Sequence, residues 1–76
     1  MRDRVRGVLA EVLAVDAASL PEDAAADSVE GWDSLRHLEL MLALEREFGV
    51  RIPAESFLEL ASLPAIEDYL RGASTA

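Results

Sequence analysis

The sequence predicts an all-α fold, a small four-helix bundle with a long first loop and a short third helix, and three observations carry that prediction. Ala and Leu far outnumber Val, Ile and Thr, and they stand at the top of the helix scale. Apolar residues recur at helical spacing in separate stretches of the chain. Capping residues, Pro and Gly stand where those stretches begin and end. With 51% hydrophobic residues the 76-residue chain has material for one core and no more.

Val5, Val8, Leu9, Val12 and Leu13 repeat at i, i+3, i+4, i+7 and i+8, which predicts an amphipathic helix over about residues 2–14. From Val15 to Asp33 the periodicity stops among turn-formers such as Asp16, Pro21, Asp27 and Gly31. A loop of that length needs anchors, and Leu20 and Val29 are the candidates, with one short helical turn near Ala24. Its length suits a connection between helices that point the same way.

Asp33 is placed to cap a second helix that ends at Phe48, where Gly49 supplies a left-handed residue. Steps of 100° put His37, Leu40, Met41, Leu44 and Phe48 on one face, assigned to the core. The opposite face mixes Leu35, Leu42 and Ala43 with Arg36, Glu39 and Arg46 and reads as a partner surface. After Ile52-Pro53, residues 54–60 form a short third helix in which Phe57, Leu58 and Leu60 can bury. Ser62 then caps a last helix, with Pro64 in its first turn, Leu63, Ile66, Tyr69 and Leu70 inward, and its end at Gly72. The domain is therefore read as residues 1–72, followed by a flexible tail over 73–76.

Composition narrows the function. A chain this short buries only about 60% of the surface it exposes when unfolded, which leaves little room for an enclosed active site. Without Cys, and with a single His, neither a disulfide framework nor a usual zinc site is available. A net charge of −8 argues against nucleic acid and anionic membrane as partners and favours basic proteins. No apolar run is long enough to span a bilayer, and a cytoplasmic monomer is expected. The acidic pairs Glu22-Asp23 and Glu45/Glu47 lack calcium-loop spacing and read as solvated surface.

One segment invites a chemical reading: Gly31-Trp32-Asp33-Ser34-Leu35, at the junction of loop and second helix. Ser34 falls in the first helical turn, where amide hydrogens are free and the macrodipole is positive, so a phosphate ester there would be stabilised. From the residues alone the plain alternative stays open: Asp33 caps and Ser34 is a small polar first-turn residue. Trp32 reads as a loop anchor. A hydrolytic pair of Ser34 and His37 lacks an orienting carboxylate, and His37 projects toward the core's edge.

The chain resembles the phosphopantetheine-binding carrier proteins, that is, acyl and peptidyl carriers. The resemblance rests on G-W-D-S-L at 31–35, L-E-L-M-L-A-L-E-R-E-F-G-V at 38–50, R-I-P after it, and S-L-P-A-I-E-D-Y-L at 62–70, behind an amphipathic first helix and an acidic loop. It implies a bundle of acyl-carrier type that is a substrate of other enzymes and not an enzyme itself. It implies 4′-phosphopantetheine on Ser34, installed by a magnesium-dependent phosphopantetheinyl transferase, with acyl cargo held as a thioester. An acyl-loading ligase or acyltransferase and downstream synthase enzymes are the further partners implied. Asp33, Leu35, Arg36, Glu39 and Leu42 match the family's partner-recognition surface. Fatty-acid-synthesis carriers usually keep this helix acidic, whereas Arg36 and Arg46 stand here, which points to polyketide or related specialised metabolism. An aminoacyl or peptidyl carrier and an unmodified helical interaction module are the alternative readings.

Overall fold

Helix α1 spans Arg2–Leu13 and buries Val5, Leu9 and Ala10, with Val8, Val12 and Leu13 half-buried beside them. It stops one residue short of the expected end because Ala14 turns left-handed, at φ 59°. The Ala14 amide then donates to the Glu11 carbonyl at 3.2 Å and the Val15 amide to the Ala10 carbonyl at 2.9 Å, the paired bonds that close a helix end. These coordinates belong to a computed structural model that describes residues 2–74.

The loop departs from expectation in two ways. Its helical turn lies at Ala17–Ser19, a 3-10 segment capped by Asp16, and not near Ala24. Ala24 is instead fully buried and pairs with the chain before the last helix: the Leu63 amide donates to the Ala24 carbonyl and the Ala26 amide to the Ala61 carbonyl, both at 2.8 Å. This bridge between Ala25 and Ser62 satisfies backbone groups that a buried loop would otherwise strand. Leu20 and Trp32 anchor the loop in the core, and Val29 is half-buried.

Helix α2 spans Ser34–Phe48 and buries Leu40, Met41 and Leu44 completely. Gly49 ends it at φ 65°, a conformation that costs a residue with a Cβ. Arg4, near the start of α1, reaches the far end of α2, with its guanidinium 3.1 Å from the Glu47 carboxylate and 4.5 Å from the centre of the Phe48 ring. The two helices are therefore antiparallel, not pointing the same way. The loop's length is used on the detour to Ala61–Leu63. Glu47 lies on the exposed surface as expected, where it pairs with Arg4, whereas Glu45 is half-buried and accepts the Ile52 amide at 2.6 Å.

The short third helix occupies its expected residues, Ala54–Leu60, as a 3-10 segment. Residues three apart share a face in that geometry, so Phe57 and Leu60 turn inward while Leu58, expected to bury, is 88% exposed. Helix α3 spans Leu63–Ser74, with the Ser62 hydroxyl accepting the Ala65 amide at 3.2 Å. Leu63, Ile66 and Leu70 complete the core. The helix runs past Gly72, because Gly ends a helix by turning left-handed and Gly72 does not. Ala73 and Ser74 are thus helical, and the rest of the expected tail, Thr75 and Ala76, lies outside the described residues. Among the described residues there is no strand beyond the isolated bridge, and the radius of gyration is 11.2 Å. The molecule is the small all-α bundle expected from its sequence.

Candidate functional site

The end of the long loop builds the site. Gly31 takes a φ of 92°, open chiefly to glycine, and the turn it makes sends Trp32 inward and Ser34 outward. Trp32 keeps only 4% of its surface exposed and belongs to the core cluster. Asp33 has extended backbone, and its side chain accepts the Arg36 amide at 2.9 Å, while the His37 amide donates to the Asp33 carbonyl at 2.8 Å. That is a regular N-cap, and it makes Ser34 the first residue of α2.

The Ser34 side chain is exposed at the positive end of a 15-residue helix. The amides of Ser34 and Leu35 have no acceptor within the helix, so an anion on the Ser34 oxygen would meet donors and a favourable dipole. Beside it opens a cleft of about 310 Å³ lined by Ala26, Trp32, His37, Leu58 and Ala61, with Asp33 and Ser34 at its edge. The lining is mostly apolar, which suits a flexible arm with amide and methylene groups. Sequence reading missed the cleft because its walls come from the loop, α2 and the third segment, brought together only by folding.

His37 stands in the wall of this cleft with both ring nitrogens engaged. The Trp32 indole N–H donates to His37 Nδ1 at 3.0 Å. Because indole can only donate, Nδ1 is the acceptor, and the neutral ring carries its proton on Nε2, 2.6 Å from the Phe57 carbonyl. Neither nitrogen is left for Ser34, so the two residues do not form a hydrolytic pair. His37 is the edge-of-core residue the periodicity indicated, and Trp32 the anchor.

The predicted recognition residues all lie on the exposed side of α2 and its cap. Leu35 is 62% exposed and Leu42 50%, and between them Leu38, 46% exposed, completes an apolar stripe. Leu38 was legible in principle, since it stands three residues after Leu35 and four before Leu42. Arg36 and Glu39 form an ion pair at 2.9 Å across one turn. The hydrogen bond to Glu39, then the charge of that carboxylate, raises the Arg36 guanidinium above its usual range, with Asp33 adding a little. The charged groups nearest Leu35 therefore neutralise each other in part, and Glu39 is not a free acidic contact.

A family model described as the phosphopantetheine attachment site matches residues 3–70. Domains of this kind are non-catalytic carriers that take 4′-phosphopantetheine covalently on a serine and meet phosphopantetheinyl transferases and biosynthetic enzymes. The exposed first-turn hydroxyl, the donors around it and the adjoining cleft fit such a group. With that match spanning nearly all of a four-helix bundle whose geometry accepts the arm, the chain belongs to the phosphopantetheine-binding carrier family.

Proposed function

We propose that Ser34 is the serine that carries 4′-phosphopantetheine and that the protein is an acyl carrier of polyketide or related specialised metabolism, acting as a cytoplasmic monomer whose carrier domain is residues 1–72. The observation that carries the site is the placement of Ser34, exposed at the start of α2 and at the edge of the apolar cleft. Three other serines use their hydroxyls locally: Ser19 donates to the Asp16 carbonyl at 2.6 Å, Ser28 bonds the Ala25 backbone, and Ser62 caps α3.

Loading forms a bond from the Ser34 oxygen to the phosphorus of coenzyme A, breaks the pyrophosphate linkage and releases adenosine 3′,5′-bisphosphate, while the hydroxyl proton passes to the transferase. The protein's part is to present that hydroxyl and to stabilise the resulting phosphodiester with the first-turn amides. When attached, the group supplies a mobile arm whose thiol holds an acyl chain as a thioester. A tethered chain reaches successive enzymes at high effective concentration, which explains how so small a domain serves a pathway. Leu35, Leu38 and Leu42, with Asp33, Arg36 and Glu39 around them, form the surface those enzymes read.

The test is intact mass after incubation with coenzyme A, magnesium and a broad-specificity phosphopantetheinyl transferase. Wild type gains one phosphopantetheine and Ser34→Ala gains none. A folded wild type that stays unmodified would instead favour an interaction module, and modification of Ser34→Ala would move the site to another serine. Loading with candidate acyl and amino-acid ligases then separates acyl from aminoacyl cargo.

A further inference from the structure

The cleft beside Ser34 and the core share one wall. Trp32 lines the first and belongs to the second. In the same core cluster Leu40, Met41 and Leu44 are fully buried and Leu60 nearly so. From the cleft, a flexible chain reaches the core by swinging Trp32 aside or by parting α2 from the Ala54–Leu60 segment, the two walls that His37 joins. Both movements break the same bridge: Trp32 N–H to His37 Nδ1 at 3.0 Å, and His37 Nε2–H to the Phe57 carbonyl at 2.6 Å. Swinging the indole strands its N–H, and parting the segments strands the Phe57 carbonyl, so entry leaves polar groups unpaired at the edge of an apolar interior.

We propose that the Trp32–His37–Phe57 bridge is a latch that keeps an acyl chain attached at Ser34 in the surface cleft and out of the bundle's core, with His37 as its positioning residue. This rests on the carrier reading above for the attached chain, and on the bridge geometry for the latch itself. The cargo stays exposed to solvent and to partner enzymes, with exposed Leu58 at the rim of the cleft as its apolar contact.

The experiment loads wild type, His37→Leu, His37→Gln and Trp32→Phe with octanoyl-phosphopantetheine from octanoyl-coenzyme A, checks attachment by intact mass, and follows thioester cleavage by hydroxylamine. Leu neither accepts nor donates, Gln does both through one amide, and Phe keeps the ring but lacks the donor. Wild type and His37→Gln are expected to cleave at the rate of free octanoyl-pantetheine, and His37→Leu and Trp32→Phe about tenfold more slowly, because the chain withdraws into the core once the bridge is lost. A wild type as protected as the variants, or variants as exposed as wild type, overturns the proposal. A second readout needs no cargo: acrylamide quenching of Trp32, the single tryptophan, rises in folded His37→Leu and not in His37→Gln. Unchanged quenching in His37→Leu overturns the latch whether or not Ser34 is loaded, whereas failed attachment in wild type counts against the carrier reading alone.

Discussion

On one face of α2, Leu40, Met41 and Leu44 have no solvent exposure; on the other, Leu35, Leu38 and Leu42 keep 62%, 46% and 50% of theirs. The residue types are nearly the same, and their energetic roles are opposite. The inner set belongs to one core cluster with buried residues of α1, α3 and the loop and stabilises the fold by removing apolar area from water. The outer set gains little from folding and leaves an apolar stripe beside Ser34, flanked by an ion pair that is already satisfied. A leucine therefore reports on function here only through its angular position on the helix. An exposed apolar stripe next to a modifiable hydroxyl is what a carrier needs if it must be gripped by many enzymes without binding any of them tightly.

The strongest way to break this comparison is to truncate one leucine from each face. Leu44→Ala is expected to cost about 2–5 kcal/mol in urea unfolding, since it leaves a cavity in a closely packed core. Leu42→Ala should stay within about 0.5 kcal/mol of wild type in the same assay. If the two losses were alike, the division of α2 into structural and recognition faces would be wrong.

The second contrast is in binding. Leu35→Ala is expected to weaken association of the loaded carrier with a cognate synthase about tenfold, as truncation of a central apolar contact does. Titration calorimetry reads it directly, and an unchanged affinity would remove Leu35 from the interface. Asp33→Ala sharpens the role of the junction itself: loss of the cap should cost about 1 kcal/mol in denaturant unfolding, and Asp33→Asn should restore most of it. The smallest effect is expected from Glu39→Arg, which breaks the pair with Arg36 and gathers positive charge beside Leu35. Association with a basic partner should slow several-fold at low salt, and the difference should fade as salt rises. A salt-independent rate would show that these charges do not steer the encounter.

Much of the site could be read from local pattern. Asp33 as cap, Ser34 in the first turn and Leu35 and Leu42 turned outward depend on spacing within a few residues, and the structure places each as expected. The errors have two causes. Leu58 was read as buried because Phe57, Leu58 and Leu60 are all apolar, but a 3-10 turn repeats every three residues and leaves Leu58 outside. The antiparallel set of α1 and α2 depends on Arg4 meeting Glu47 and Phe48, and the buried Ala24 on a backbone pairing with Leu63. Those contacts join distant parts of the chain, where no local periodicity points.

By itself the sequence determined the three long helices, the caps Asp33, Gly49 and Ser62, the inward face of each long helix and the place of Ser34 in an exposed first turn, because these follow from propensity and from a 3.6-residue repeat that any short window contains. Only the tertiary structure decided what surrounds that serine: a cleft with walls from three segments, and a histidine whose two nitrogens are taken by Trp32, five residues before it, and Phe57, twenty residues after it. The reason is physical. A hydrogen bond between segments depends on where packing of the core sets their backbones, and that placement is a property of all the buried side chains together.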